Sequence, residues 1–346
     1  MYFTELLNEA AAVRASDLHV SSGQHVAFRR ANGDLVFEEG FARPKDEHLA
    51  ELFSTVLSEQ AKARFERAGR YDAAIDLPTG LRIRLRLFKH AEGWAAACRL
   101  LPTEIRSLGS IQAPAVIENS LADQSGLIIV SGPTGSGKSS TLAGAIDYIN
   151  RTFRRRIVTA EDPIEYPHKS ILSLVTQKEV PRDVLTFEDA LMDALREDAN
   201  VLMIGELRDA RSLRAAMTAA DTGLLVLATL HARNTPSAVQ RLIDAFPPGE
   251  KELARSMLAD SLRLFIAQAL VKTADGRERV AAFETLTSTP AVRNLIRTGD
   301  LAQLPSAIQT GGSAGMMTLK QSMEDLLRVG AVDRQDADRI LRGRHG

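Results

Sequence analysis

The residues best suited to do chemistry are contiguous: Gly132-Pro133-Thr134-Gly135-Ser136-Gly137-Lys138-Ser139, followed by Ser140. This is the pattern G-x-x-x-x-G-K-[ST]. Its glycines let a backbone turn tightly and aim several N–H groups at one phosphate. A helix starting at its end adds the positive end of its dipole. Lys138 is then placed for the β- and γ-phosphates, and the Ser139 hydroxyl for Mg²⁺. A chain of this length meets the bare pattern by accident roughly 1 time in 100. The context narrows that further. Leu127-Ile128-Ile129-Val130 reads as a buried strand before the loop, and Ser140 to Asn150 as a helix with Leu142, Ala145, Ile146 and Ile149 on one face. The stretch predicts a site for a nucleoside triphosphate.

Other groups able to act on a phosphate lie just beyond short apolar runs. Glu206 follows Val201-Leu202-Met203-Ile204 and Gly205, where an acidic residue can order Mg²⁺ or the attacking water. Glu161, Asp162 and Glu165 crowd around Pro163, which bars a helix there. One of the three can serve as general base; spacing does not choose among them. His231 ends the run Leu224 to Leu230, where a structural and a functional histidine look alike. In Leu81 to Phe88, Leu81, Ile83, Leu85 and Leu87 alternate with Arg82, Arg84 and Arg86, a strand with one apolar and one cationic face. That face suits solvation first and anion binding second.

These residues need elements to carry them. From residue 125 apolar strands alternate with helices, the rhythm of a parallel sheet covered on both faces, with its ligand beyond the strand carboxyl ends. Glu165, Glu206, His231 and the phosphate loop all fall there. Residues 1–101 read as a small α+β domain. It would comprise an N-terminal helix, strands at Ser16 to Val20 and Val26 to Arg29, an Asn32-Gly33 hairpin turn, a helical region from Glu47 to Ala68, and a hairpin pairing Leu81 to Phe88 with Trp94 to Leu101. Residues 102–112 read as a linker and 113–346 as the second domain.

At 346 residues the chain has core enough for two domains. Its 43 basic and 44 acidic residues create no global field for nucleic acid or an anionic membrane, so no nucleic-acid partner is expected. Cys98 is the only cysteine, which excludes an internal disulfide and a four-cysteine zinc module. No signal peptide or membrane-length apolar run is evident, so a soluble, cytoplasmic protein is expected.

Taken together, the segments resemble the secretion and type IV pilus ATPase family. The resemblance is carried by ASDLHV at 15–20, LRIRLRLF at 81–88, GPTGSGKSSTLA from 132, AEDPIEYPH from 160, ALREDANVLMIGELRD, TLHA at 229–232 and RSMLADSLRLFIAQALV. AVRNLIR at 291–297 and SAIQTGGSAGMMTL at 306–319 are similar to its retraction branch. Assembly and secretion relatives usually carry an extra N-terminal domain and a cysteine module, neither expected here. The resemblance implies a RecA-like P-loop ATPase domain with a parallel sheet, preceded by a small α+β PAS-like domain. It implies a homohexamer that uses ATP and Mg²⁺, peripheral at the inner face of the cytoplasmic membrane against a pilus platform protein. It makes Glu165 the catalytic base, gives Glu206 and Ser139 the metal, and raises the functional reading of His231. Arg82, Arg84 and Arg99 would reach the nucleotide of a neighbouring subunit. One departure stands out: Thr222-Gly223 is followed by Leu224, where the family usually carries a first histidine. That leaves open an accessory subunit with weak hydrolysis; an assembly or secretion ATPase of the same family is the other alternative to a retraction motor.

Overall fold

A computed structural model describes all residues except 1, 51–58, 78–79, 102–103, 208 and 344–346. The middle of the helical region expected at 47–68, and the start of the expected linker, therefore lie outside the described residues. The chain forms two compact units, Met1–Glu104 and Ile105–Gly346.

The first unit is an antiparallel sheet in the order β3-β2-β1-β6-β5-β4. Its strands are β1 (Asp17–Ser21), β2 (Val26–Arg29), β3 (Leu35–Glu38), β4 (Arg70–Asp76), β5 (Arg82–His90) and β6 (Gly93–Leu101). The alternation along β5 has the expected result: Ile83, Leu85 and Leu87 are fully buried, with the arginines on the other face. The helices Tyr2–Ala12 and Glu59–Ala68 supply Phe3, Leu6, Leu7 and Phe65 to the same core. Strand β4 was not anticipated, because Arg70-Tyr-Asp-Ala-Ala-Ile-Asp76 lacks a clean apolar alternation.

The second unit is a seven-stranded sheet in the order β13-β12-β7-β11-β10-β8-β9. Its strands are β7 (Gly126–Ser131), β8 (Arg156–Glu161), β9 (Leu174–Glu179), β10 (Val201–Ile204), β11 (Leu225–Leu230), β12 (Leu262–Lys272) and β13 (Arg279–Thr287). All pairings are parallel except β12 with β13. The central strands β7, β10 and β11 are buried along their whole length, as a sheet covered on both faces requires. One layer includes the helix Lys138–Thr152, with Leu142, Ile146 and Ile149 in the core; the other includes the helices Phe187–Arg196, Ala210–Asp221 and Thr235–Asp244. Leu108, within the stretch expected as a linker, is buried against Ile128, Val130 and Ile146. A Cβ at Gly144 would stand 2.9 Å from the Arg106 carbonyl oxygen, so glycine is what admits this segment onto the helix.

Candidate nucleotide site

Four parallel strands, β7, β8, β10 and β11, end on the same edge of the sheet, and their carboxyl ends deliver the candidate residues. Backbone bonds lock these ends together. The Gly132 N–H donates to the Leu230 carbonyl (3.3 Å), Gly205 N–H to the Ala160 carbonyl (2.8 Å) and Leu207 N–H to the Thr229 carbonyl (3.1 Å), while the Thr229 hydroxyl donates to the Gly205 carbonyl.

The phosphate loop leaves β7 and runs into the helix Lys138–Thr152, whose N-cap is Gly137 at φ +89°. Gly132 sits at φ +154°, and a Cβ there would meet the Gln268 backbone oxygen at 2.6 Å. Gln268 lies on β12, next to β7, and is 2 % exposed; its side-chain carbonyl accepts the Thr141 hydroxyl at 2.7 Å. Gln268 thus lies against the loop through its backbone and braces the first turn of the helix through its buried side-chain amide. Sequence reasoning missed it, although one glutamine inside the apolar run Leu264 to Val271 was the available signal.

Lys138 is buried, and its Nζ donates to the carbonyls of Gly132 (2.9 Å) and Pro133 (3.0 Å). Burial lowers its pKa, opposed by the charges of Glu206 and Glu165. The two carboxylates proposed from sequence therefore act on the lysine of the phosphate loop. Ser136 Oγ is buried without a hydrogen-bond partner among the described residues. A cradle with an orphaned hydroxyl and a lysine bonded to loop carbonyls fits an incoming phosphate. Pro133, Thr134, Gly135 and Ser139 are exposed.

The three crowded carboxylates separate. Asp162 is exposed and Glu165 half-buried, whereas Glu161, the last residue of β8, is buried. The Glu161 carboxylate accepts the Thr159 hydroxyl (2.8 Å), the Gln177 amide (3.0 Å) and the Glu165 N–H (3.4 Å). Burial raises its pKa against these bonds. Tyr166, next along the loop, shares a 2.6 Å bond between its hydroxyl and that of Ser140, joining the acidic loop to the phosphate-loop helix. On the neighbouring strand ends, His231 Nε2 lies 3.4 Å from Glu206 Oε1.

Arg82 and Arg84 on β5 and Arg99 on β6 belong to the first unit. Arg84 and Arg99 stand directly opposite each other. Arg99 Nε donates to Asp17 Oδ1 at 2.9 Å and Arg82 lies 3.5 Å from Asp76, so both are ion-paired within their own sheet. Leu224 is buried at the amino end of β11, the opposite end from His231. Seven residues of strand put about 23 Å between the two, which removes Leu224 from the phosphates of its own chain. In the helix Pro290–Thr298, Val292 and Ile296 are core residues. Among the described residues, no helix is long and apolar enough to cross a membrane.

The chain matches the Type II/IV secretion system protein family over residues 1–328. It is 42 % identical over 332 residues to a twitching motility protein of Neisseria gonorrhoeae, covering 94 % of this chain and 88 % of the relative. It is 41 % identical over 339 residues to the type IV pilus retraction ATPase PilT of Pseudomonas aeruginosa, covering 97 % of each. Among solved structures, that of the pilus retraction motor PilT with bound ADP superposes with a TM-score of 0.87 at 37 % identity, covering 98 % of this chain and 97 % of the other.

Proposed function

The chain belongs to the type II/IV secretion system protein family, and we propose that it is a motor ATPase coupling ATP hydrolysis to type IV pilus retraction. The observation that carries the chemistry is the buried Lys138 in a phosphate loop, with Glu165 and Glu206 both acting on its charge. Lys138 and the loop N–H groups beyond Pro133, which has none to give, would hold the phosphates. Glu165 takes a proton from the water whose oxygen attacks the γ-phosphorus as the bond to the leaving ADP oxygen breaks. Ser139 and Glu206 would hold Mg²⁺, which supplies positive charge to the phosphates. His231, fixed beside Glu206, orients that carboxylate and faces the same edge of the sheet.

Arg82, Arg84 and Arg99 would stabilise transition-state charge on a neighbouring subunit's nucleotide in a homohexamer, making hydrolysis depend on ring closure. The ion pairs of Arg99 with Asp17 and Arg82 with Asp76 mean that this role requires those guanidinium groups to share or leave their partners. Rotation within the expected linker 102–112 would transmit the stroke to a platform protein at the cytoplasmic membrane face, with the pivot before Leu108, which is packed into the second unit's core. The test is a count of surface pili in cells carrying Lys138→Ala beside a clean deletion. Hyperpiliated, non-retracting cells are expected. Bald cells would make the protein an assembly or secretion ATPase, and unchanged pili an accessory subunit.

A further inference from the structure

We propose that Gln177 is a positioning residue for hydrolysis: its one amide ties both ends of the loop that carries Glu165. The inference rests on the reading of Glu165 as the base. Thr159 and Glu161 lie two residues apart on β8, hence on one face, and Gln177 on β9 is the register partner of Thr159. From there Gln177 Nε2 donates to Glu161 Oε1 and to the Tyr166 carbonyl, both at 3.0 Å, and its Oε1 accepts the His168 N–H at 2.6 Å. The amide therefore bonds the residue at which the loop leaves the sheet and two residues beyond Glu165. All three bonds bracket residues 162–165. Glu179, two residues along β9 and on the same face, accepts the Ile164 N–H at 3.4 Å. The edge strand β9 is thus the support on which the acidic loop is mounted.

Geometry gives this arrangement a kinetic consequence. Glu165 is half-buried, and its backbone N–H donates to the Glu161 carboxylate across a long 3.4 Å bond. Glu161 is in turn oriented by Thr159 and Gln177. Without Gln177, Glu161 keeps one side-chain donor and the 166–168 segment loses two bonds. Glu165 then stays in the site but samples positions from which proton transfer is slow. The nucleotide is held by other residues, those of the phosphate loop, so its binding does not depend on this clamp.

The test uses the full chain. Gln177→Met keeps the bulk and removes all three bonds. It is expected to lower kcat about 10- to 100-fold, the scale of a small misplacement of a catalytic group, with the Kd for ATP unchanged and the chain still folded at the assay temperature. In Gln177→Glu a second carboxylate faces Glu161, and the pair regains a shared proton only in acid. Its turnover relative to the parent should therefore recover as pH falls. A Gln177→Met protein with the parent's kcat overturns the proposal, as does a loss of kcat that merely follows lost nucleotide binding or unfolding at the assay temperature. Glu165→Gln, measured alongside, separates the two ideas. If it is inactive while Gln177→Met is normal, only the positioning role falls; if it turns over normally, Glu165 is not the base and both fall.

Discussion

His231 Nε2 stands 3.4 Å from Glu206 Oε1, although the two residues come from different strands, β11 and β10. The pair exists because the strand ends are fastened to one another: the Thr229 hydroxyl donates to the Gly205 carbonyl, and Leu207 N–H to the Thr229 carbonyl. A histidine in this place would orient the carboxylate expected to order the metal site. His231→Ala is expected to reduce ATP turnover by about 100-fold, the scale of losing one preorganised polar contact in an active site, while ATP still binds. His231→Gln, which keeps a donor, should lose less. Steady-state turnover beside equilibrium nucleotide binding decides it; full activity in His231→Ala would make the histidine structural.

Gly132 offers a test of the loop itself. Its Cβ position falls 2.6 Å from a backbone oxygen of Gln268, on a strand that is hydrogen-bonded to a neighbour on either side. Gly132→Ala must therefore displace the loop rather than β12. The displaced loop moves the carbonyls that hold Lys138 Nζ. Nucleotide affinity is expected to drop at least tenfold, about 1.4 kcal/mol, with the helical content of the chain retained. Unchanged affinity, measured by titration with a fluorescent nucleotide, would mean that the loop conformation is not what binds.

Leu224 is a departure whose consequence lies in the core. It is 8 % exposed and packs in the cluster that contains Leu202, Val226 and Leu258. Leu224→His would bury an imidazole among these groups, at a cost of about 1–3 kcal/mol. Since the site lies at the other end of β11, turnover per folded molecule should not change. Chemical denaturation and an ATPase assay on the same preparation check both halves. A gain in turnover would show that the residue acts through subunit contacts instead.

What was readable in the sequence depended on how locally each feature is determined. The phosphate loop is contiguous, and its chemistry dictates residue types at fixed spacing, so Gly132 to Ser139 could be read directly. The β5 alternation was readable because one face is buried and the other carries arginines. Strand β9 was not, since Leu174-Val-Thr-Gln-Lys-Glu179 is an edge strand with half-exposed residues and no alternation. Gln177 and Gln268 escaped for the same reason that they matter: their partners lie 16 and 127 residues away. The pairing of Arg99 with Asp17 spans 82 residues and likewise needs the fold. Among Glu161, Asp162 and Glu165, burial and three accepted hydrogen bonds single out Glu161 as the one that braces the loop, which spacing does not show.

His168 makes the acidic loop sensitive to acid. Its Nδ1 is buried without a hydrogen-bond partner among the described residues, and burial lowers its pKa from 6.5 to about 4, with the charge of Asp147 in partial opposition. Between those two values the unfolded chain takes up a proton that the folded chain refuses, so stability falls as pH drops from 6.5 towards 4 and is fully present above 6.5. At about 1.4 kcal/mol per pKa unit, the loss attributable to His168 is on the order of 3–3.5 kcal/mol at most. His168→Gln cannot titrate, and the backbone N–H that bonds Gln177 is retained. The stability difference between parent and variant, from denaturant midpoints across this pH range, should therefore shift in favour of the variant as the solution is acidified. A difference that stays flat would mean that His168 is protonated in the folded chain and that the loop opens to admit the charge.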